Sequence, residues 1–284
     1  MKIAILPNLY KKSAIKYSKK LISKIQSLGS EVILEDKHMR ELKLETQHYE
    51  YEKEVIFNSD ICIAVGGDGT IIKKAKEASK FKKPILGVNI GRLGFVSGLE
   101  KDEFCKLEKI VSGKYKIEKR IMLSIDVYIE GENERYYAFN EAVVSRGLEN
   151  KISDFKIYLD DIEMCEYRAD GLILATPTGS TAYSLSAGGP VVDGCMECIL
   201  LTPICSHSMF SRPTVFNKNS QISLQIKTRS KQNVFLSIDG EKPINISRSD
   251  KISAIVSDRY VELINLGECS FYQRLTDKFL KRNQ

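Results

Sequence analysis

Short apolar runs alternate with amphipathic helical segments through the first hundred residues, and this alternation constrains the fold more than any other feature. The predicted elements are strands over 2–6, 31–34, 61–65 and 84–89 and helices over 13–28 and 71–81. Gly29 follows the first helical segment, where a glycine commonly ends a helix. Strands that alternate with helices form mostly parallel sheets covered on both faces. The sequence therefore predicts an N-terminal doubly wound α/β domain.

The pattern changes after about residue 100. A helical segment over 102–111 precedes short runs rich in β-branched and aromatic residues, at 122–129, 142–145, 155–159, 221–227, 234–238 and 260–266. Turn signals such as Asp239-Gly240 separate these runs. We predict a C-terminal β-rich, sandwich-like domain over 101–267. Residues 271–281 have helical spacing, and we expect this helix to return to the first domain, which would comprise 1–100 and 268–284.

Composition and charge narrow the class of partner. The chain has 284 residues, of which 43% are apolar and 28% charged, as in ordinary globular proteins. Its net charge of +6 suits small anions such as nucleotides and is too weak to indicate nucleic acid. No apolar run approaches membrane-spanning length, and the N-terminus reads as a short strand rather than a signal peptide. We expect a cytoplasmic protein without a membrane partner.

The cysteines offer one alternative reading. The seven cysteines are scattered and form no even-numbered framework, which indicates a reducing compartment. Cys195 and Cys198 are spaced C-x-x-C with Cys205 and His207 downstream, so a zinc site must be considered. The sequence has no second C-x-x-C, however, and Cys198 begins an apolar segment. Small buried hydrophobic residues are the favoured interpretation.

A glycine turn carries the first candidate chemistry. The predicted strand over 61–65 runs into Gly66-Gly67-Asp68-Gly69-Thr70, and a helix follows directly. Glycines let a phosphate approach the backbone, and a helix N-terminus offers free N–H groups. A loop that only binds phosphate has no reason to hold a carboxylate, so Asp68 is a candidate proton acceptor or Mg²⁺ ligand. The alternative is a tight turn in which Asp68 caps the helix.

A hydroxyl-rich segment carries the second candidate site. Residues 172–175 read as a strand, 177–180 as a turn and 181–187 as a short helix closed by Gly188-Gly189-Pro190. Such a helix start offers N–H and O–H donors to a base and a ribose, and Asp170 and Glu141 can accept hydrogen bonds from them. A hydroxyl that only caps the turn would explain Ser180 or Thr181 but not the whole constellation.

Four segments together resemble a known family. Residues 66–70 carry the Gly-Gly-Asp-Gly-Thr signature shared by NAD kinases, the diacylglycerol and sphingosine lipid kinases and, more distantly, phosphofructokinases. Residues 89–95 resemble the second glycine turn of NAD kinases, 139–143 their Asn-Glu pair, and 169–190 their longest signature. The segments occur in the family's order and span nearly the whole chain. The sequence thus resembles a bacterial-type NAD kinase.

The resemblance implies roles for individual residues. Asp68 would be the proton acceptor, and Lys73 would reach toward phosphate unless it is a solvated helix-face residue. The complete set of implied nucleotide-binding residues is Asp68, Gly69, Lys73, Phe95, Asn140, Glu141, Lys151, Arg168, Asp170, Thr178, Thr181, Ala182, Tyr183, Ser184, Leu185, Ser186 and Glu241. Two positions depart from the family: Ser206 stands where a proline usually precedes the histidine, and Glu241 stands where the family often has glutamine.

The expected reaction follows from the same resemblance. ATP with Mg²⁺ or another divalent cation would phosphorylate the adenosine-ribose 2′-hydroxyl of NAD⁺, giving NADP⁺; the residues that hold the metal stay unassigned. Homodimers paired into tetramers are implied, with Arg168 touching a nucleotide held mainly by a neighbouring subunit. A lipid kinase is the first alternative, disfavoured because no membrane-surface helix is visible. A non-catalytic NADP-binding sensor is the second, disfavoured because Asp68 is intact.

Overall fold

The computed structural model describes residues 1–10, 12–91, 94–129, 132–147, 152–207, 211–227, 234–247, 250–267 and 271–282. The chain forms two compact units: unit 1 comprises Met1–Lys119 and Tyr260–Gln284, and unit 2 comprises Arg120–Arg259. Residues 101–119 and 260–267, assigned to the second domain on sequence, therefore lie in unit 1, and Ile264 and Leu266 of the second range are buried in its apolar cluster. The physical reason is that Leu107 and Ile110 are buried in the apolar cluster of that unit.

Unit 1 contains a parallel sheet with helices. Its first strands are β1 (Lys2–Pro7), β2 (Glu31–Glu35), β3 (Gln47–Tyr49), β4 (Ile61–Gly66), β5 (Ile85–Asn89) and β6 (Leu99–Glu100). The helices up to this unit's boundary are α1 (Lys12–Ser27), α2 (Asp36–Leu42), α3 (Glu52–Phe57), α4 (Asp68–Lys80) and α5 (Leu107–Val111). The strand order is β3-β2-β1-β4-β5, with β6 beside β5, and every pair is parallel. The predicted α/β domain is confirmed.

The central strands and the helix after the glycine turn decide where the site lies. All six residues of β4 and all five of β5 are buried, as expected for strands covered on both faces. Helix α4 begins at Asp68, three residues before its predicted start, and Gly67 is its N-cap residue. The backbone N–H groups of Thr70 and Ile71 donate to the Gly67 carbonyl. The carboxylate of Asp68 therefore belongs to the first turn of the helix.

Unit 2 is built from antiparallel strands. They are β7 (Lys116–Ile129), which begins in unit 1, β8 (Glu132–Ala138), β9 (Glu141–Arg146), β10 (Ser153–Leu159), β11 (Ile162–Ala169), β12 (Gly171–Ala175), β13 (Cys198–Ile204), β14 (Thr214–Asn217), β15 (Ile222–Ile226), β16 (Val234–Ile238) and β17 (Ile244–Ile246). One sheet has the order β14-β13-β12-β9-β16-β17. Strands β11, β10 and β15 pair in that order in the other layer, and β7 and β8 form a hairpin. A 3₁₀ turn (Thr178–Thr181) and the short helix α6 (Tyr183–Ser186) follow β12.

The core of unit 2 lies between its two layers. Alternate residues of β9 and β12, such as Val144, Leu172 and Leu174, join Phe155 and Ile157 of β10 in one apolar cluster. Alternation of this kind is what a sheet with one inward face requires. The β-rich, sandwich-like architecture predicted for this part of the chain is confirmed.

The last strand contributes to both units, and the last helix belongs to unit 1. Strand β18 (Lys251–Asn265) pairs with β15 in unit 2, and its Leu263 pairs with Ile85 of β5 in unit 1. Helix α7 (Phe271–Arg282) returns to unit 1, where Nη1 of Arg274 donates to the Ser97 carbonyl at 2.7 Å. None of the helices in the described ranges is both long and apolar enough to span a membrane.

Candidate functional site

The glycine turn places its side chains by close packing. A Cβ atom on Gly66 would lie 2.6 Å from Cβ of Thr70, so only glycine fits where β4 meets α4. The Thr70 hydroxyl oxygen accepts a hydrogen bond from Nδ2 of Asn8 at 2.9 Å. Because Asn8 follows β1 directly, this bond ties the start of α4 to the end of the neighbouring strand.

The carboxylate of Asp68 is held from the side by a second glycine segment. Oδ2 of Asp68 accepts a hydrogen bond from the backbone N–H of Phe95 at 3.2 Å. A Cβ atom on Gly94 would lie 2.0 Å from Oδ1 of Asp68. The structure thus brings together Asp68 and Phe95, which the sequence placed 27 positions apart.

A cationic cleft of about 600 Å³ opens beside the same turn in unit 1. It is lined by Pro7, Asn8, Leu9, Tyr10, Lys37, His38, Glu41, Gly69, Thr70, Lys73 and Lys74. Lys74 is paired with Glu52, and Lys37 with Glu35 at 2.8 Å, a contact that raises the pKa of Lys37. Lys73 is exposed, and its side chain has no hydrogen-bonding partner within the described ranges. The cleft therefore offers lysine charge next to a helix N-terminus, an arrangement suited to phosphate groups.

In unit 2 the turn that carries Asn140 and Glu141 is fixed by Asp239. The carboxylate of Asp239 accepts backbone N–H bonds from Phe139 at 2.9 Å, Asn140 at 2.7 Å and Glu141 at 3.1 Å. Asp239 itself has φ of 49°, in the left-handed region, and Gly240 follows with φ of 71°. Sequence reasoning treated Asp239-Gly240 only as a turn. The signal available was that aspartate in a turn commonly accepts backbone N–H bonds.

The hydroxyl-rich segment packs directly on this turn. The backbone N–H of Thr176 donates to the Asn140 carbonyl at 2.8 Å, and the Thr176 hydroxyl donates to the Phe139 carbonyl at 2.7 Å. A Cβ atom on Gly179 would lie 2.1 Å from the Asn140 carbonyl oxygen, so glycine is required there. The backbone N–H of Tyr183 faces the Glu141 carboxyl group and lowers its pKa, against the effect of burial. Within the predicted constellation, the structure therefore brings the Asn-Glu pair next to Gly179, at the start of the hydroxyl-rich segment.

Several buried polar atoms at this place have no protein partner. Oδ1 of Asn140, Oε2 of Glu141 and Oγ1 of Thr178 are buried without a hydrogen bond to any residue that the structure describes. Burial first, and the negative charge of Asp239 second, together raise the pKa of Glu141 to about 7. Buried polar groups are normally hydrogen-bonded, so three such atoms together mark a place for a polar ligand.

Asp170 does not join this group. It lies at one end of β12 and Thr176 at the other, and a five-residue strand measures roughly 16 Å. Its carboxylate is held by Arg146, with Nε at 2.7 Å from Oδ1 and Nη2 at 3.3 Å from Oδ2. Arg168 lies near Asp170 in the chain and exposes 67% of its side chain. The sequence constellation is thus divided between the two ends of β12, and Arg146 is a partner that sequence reasoning missed.

The other predicted residues have varied surroundings. The Ser184 hydroxyl is buried against the Thr202 hydroxyl at 2.9 Å, and the Thr181 hydroxyl donates to the Thr178 carbonyl at 3.3 Å. Tyr183 is 44% exposed. Ala182 and Leu185 are half-buried, and Ser186 and Glu241 are exposed. Lys151 lies outside the described residues.

A carboxylate in the first turn of a helix beside lysines, in unit 1, and three buried polar atoms without a described partner, in unit 2, are groups that a nucleotide-dependent phosphotransferase needs. Residues 3–115 match the ATP-NAD kinase N-terminal domain, and residues 139–266 match the ATP-NAD kinase C-terminal domain. The chain belongs to the NAD kinase family.

Individual relatives agree with this assignment. The chain is 38% identical over 284 residues to the NAD kinase of Caldanaerobacter subterraneus subsp. tengcongensis, with 99% of each chain covered. It is 32% identical to the NAD kinase of Acetivibrio thermocellus, covering 100% of this chain and 99% of that one. Among solved structures, yeast NADH kinase complexed with NADH has a TM-score of 0.83 at 27% identity, covering 93% of this chain and 83% of that one. An Archaeoglobus fulgidus NAD kinase in complex with ATP has a TM-score of 0.75 at 25% identity, covering 99% and 98%.

Proposed function

We propose that this chain transfers the γ-phosphoryl group of ATP to the adenosine-ribose 2′-hydroxyl of NAD⁺ and so makes NADP⁺. The observation that carries the proposal is the placement of Asp68, a carboxylate in the first turn of α4 and held by Phe95. Asp68 takes the proton of the 2′-hydroxyl as its oxygen forms a bond to the γ-phosphorus. The bond from that phosphorus to the bridging oxygen breaks, and ADP leaves with the electron pair.

Recognition of the acceptor is assigned to unit 2. Oδ1 of Asn140, Oε2 of Glu141 and Oγ1 of Thr178 offer fixed, desolvated acceptor and hydroxyl groups. A nucleoside presents exocyclic amine and hydroxyl donors that satisfy such atoms. A ligand without those donors leaves them unpaired, which costs several kcal/mol in a buried site. The glycine turn cannot make this distinction, because it offers backbone donors and one carboxylate.

The donor phosphates are assigned to the cleft in unit 1. Lys73 is the cleft lysine best suited to them, since Lys74 and Lys37 already have carboxylate partners. Replacing Lys73 with Gln is expected to raise KM for ATP about tenfold, the loss of one charge-assisted bond, with KM for NAD⁺ nearly unchanged. Lys80→Gln is the matched control, because Lys80 is on the same helix but pairs with Glu77 outside the cleft. Equal effects of the two substitutions would show that Lys73 is only a solvated helix-face residue.

The Asp68 carboxylate is of the donor type that a divalent cation takes. Mg²⁺ in nucleotide enzymes is commonly held by one or two carboxylates together with substrate phosphates, and Asp68 is a half-buried carboxylate beside the cleft. When bound, Mg²⁺ would neutralise charge on the β- and γ-phosphates. We include it in the proposed reaction as the partner of ATP.

The decisive experiment is turnover by purified protein with NAD⁺ and ATP·Mg²⁺, with NADP⁺ identified by mass spectrometry. Asp68→Asn is expected to lower kcat by about 10²–10⁴-fold, the usual contribution of a general base, while KM for NAD⁺ changes little. Near-normal kcat in the variant would show that Asp68 has only a structural role. Phosphorylation of diacylglycerol or sphingosine without NADP⁺ formation would indicate a lipid kinase instead, and NADP⁺ binding without turnover would indicate a sensor.

The division of the unit 2 residues supports an oligomeric enzyme. Asp170 and Arg168 lie at the end of β12 remote from Asn140 and Glu141, so one copy of unit 2 does not present all four to the same base and ribose. We assign Arg168 and Asp170 to a nucleotide held mainly by a neighbouring chain, in homodimers or homotetramers.

A further inference from the structure

A loop between β5 and β6 contacts Asp68, and its two ends meet at one pair of side chains. We call residues 90–98, of which the structure describes 90–91 and 94–98, the 90–98 loop. Near its start the backbone N–H of Ile90 donates to the Gly66 carbonyl at 3.1 Å, and at its end Gly98 donates to the Gly87 carbonyl at 3.0 Å. Its middle carries Gly94 and Phe95, the residues in contact with the Asp68 carboxylate.

Asn89, the last residue of β5, holds the start of this loop. Its side chain is 0% exposed, and Oδ1 accepts the backbone N–H of Gly91 at 2.9 Å. Its Nδ2 donates to the Glu100 carboxylate, at 3.0 Å from Oε2 and 3.3 Å from Oε1. The amide of Asn89 therefore joins the beginning of the loop to Glu100, the last residue of β6, which follows the loop.

Glu100 holds the other end. Its Oε1 accepts the Ser97 hydroxyl at 3.2 Å, and its backbone N–H donates to Oε2 of Glu103 at 3.0 Å. Burial raises the pKa of the Glu100 carboxyl, and the bonds from Asn89 and Ser97 oppose that rise. The Ser97 carbonyl accepts Nη1 of Arg274 at 2.7 Å. Hydrogen bonds from two side-chain donors restrict the position of the half-buried Glu100 carboxylate more than a solvated surface carboxylate is restricted.

We infer that Asn89 and Glu100 are positioning residues that hold Gly94 and Phe95 against Asp68 and thereby fix the orientation of its carboxylate for phosphoryl transfer. The inference rests on the proposed function, in which Asp68 is the proton acceptor. A carboxylate has rotational freedom about its side-chain bonds, and a proton acceptor works only within hydrogen-bond reach of the hydroxyl. The Phe95 N–H and the Cα of Gly94 restrict that freedom only while the loop is held in place.

The first test is Asn89→Ala. This change removes both the bond to Gly91 and the bond to Glu100 and is expected to lower kcat about 10–100-fold, the effect of displacing a catalytic group by roughly 1 Å. KM values for NAD⁺ and ATP are expected to change less than about threefold, because the unit 2 atoms assigned to the acceptor and the cleft lysines are not altered. Asn58→Asp and Asn58→Ala are matched controls, since the Asn58 amide donates to the Glu54 carbonyl on the exposed side of α3.

The second test exchanges the polarity of the pair. Asn89→Asp alone places two carboxylates side by side and is expected to lower kcat as much as Asn89→Ala. Adding Glu100→Gln lets a glutamine amide donate to the new aspartate, whose second oxygen still accepts the Gly91 N–H. The double variant has the net charge of the natural chain and is expected to recover most of the lost kcat. A kcat of the double variant no higher than that of Asn89→Asp alone would overturn the inference.

The third test separates positioning from stability. In an Asp68→Asn background there is no proton acceptor to orient, so Asn89→Ala is expected to change the residual single-turnover rate less than about twofold. An equal fall in rate in both backgrounds would show that the pair only stabilises unit 1. Normal turnover by Asp68→Asn alone would refute the catalytic role of Asp68. If Asp68→Asn loses turnover but Asn89→Ala keeps the kcat of the natural chain, only the positioning role is refuted. Thermal unfolding of each variant confirms that assays are made on folded protein.

Discussion

At the scale of residues, Asp239 and Glu141 are two neighbouring carboxyl groups with different surroundings. Asp239 accepts three backbone N–H bonds, whereas Glu141 is buried with Oε2 lacking a partner among the described residues. Burial first, and the negative charge of Asp239 second, raise the pKa of Glu141 to about 7; the Tyr183 N–H opposes this. The ionised form of Glu141 is therefore costly in the ligand-free protein.

This difference predicts a pH-dependent stability. In the unfolded chain Glu141 titrates near 4.5, so its contribution to folding is fully present below that pH and is lost as the pH rises through about 7. Replacing Glu141 with Gln removes the dependence. At pH 8 the ligand-free variant is expected to be more stable than the natural chain by about 1–3 kcal/mol, and at pH 4.5 the difference is expected to vanish. Urea unfolding at both pH values measures it.

The control for this prediction is Glu163→Gln. Glu163 is half-exposed and paired with Lys156 at 2.7 Å on the surface of unit 2. A surface pair contributes little to stability, so this substitution is expected to shift the free energy of unfolding by less than about 1 kcal/mol at either pH. A parallel pH profile for Glu141→Gln and the natural chain would contradict the assigned cause.

At the scale of elements, the 90–98 loop depends on a glycine whose reason is not visible in the sequence. Gly94 has no side chain because Asp68 occupies the space, 2.0 Å from where its Cβ would lie. Gly91, in the same loop, would place its Cβ 3.6 Å from Oδ1 of Asn89, an ordinary contact. The two glycines look alike in sequence but meet different surroundings.

Alanine substitutions at Gly94 and at Gly91 are expected to have different effects on kcat. Gly94→Ala forces the carboxylate of Asp68 or the loop to move and is expected to lower kcat at least about 10²-fold. Gly91→Ala keeps the N–H that Asn89 accepts and is expected to change kcat only a few-fold. Steady-state kinetics with NAD⁺ and ATP, with circular dichroism as a check on folding, measures both. Similar losses from the two substitutions would mean that the loop needs glycine for its backbone conformation rather than for the approach to Asp68.

At the scale of the whole molecule, the proposed sharing of sites between chains predicts complementation. Asn140→Ala and Asp170→Ala are each expected to lower turnover strongly when assayed alone. If the nucleotide contacts Asn140 of one chain and Asp170 of another, mixed oligomers contain some sites with both natural residues. Co-refolded or co-expressed mixtures are then expected to recover part of the activity, and light scattering is expected to show dimers or tetramers.

The control mixture combines two variants whose residues share one end of β12, Asn140→Ala and Thr178→Ala. Both residues lie at the same end of the β9–β12 pair, so no mixed oligomer has a complete site and no recovery is expected. Full activity of a monomer at assay concentration, or equal recovery in both mixtures, would contradict a shared site.

The amino-acid sequence alone determined the larger elements and the chemistry-bearing segments. Strands such as β4 and β5 are continuous apolar runs whatever surrounds them, so they were predicted within one residue of their ends. The short elements α2, β3 and α3 were missed, because a three-residue strand or a six-residue helix has too few positions for a period. The glycine turn and the hydroxyl-rich helix start indicate phosphate and nucleoside binding through their residue types, which can be read from short segments of the sequence.

Only the tertiary structure decided how those segments meet. Asp239 reaches the Asn140–Glu141 turn from 99 and 98 positions away, and Asn89 reaches Glu100 across the 90–98 loop. The separation of Asp170 from Asn140 follows from the antiparallel register of β9 and β12, which pairs Ala175 with Glu141 and Gly171 with Ser145. Hydrogen bonds and burial between distant positions depend on strand pairing and packing, and these are properties of the folded chain that no local pattern contains.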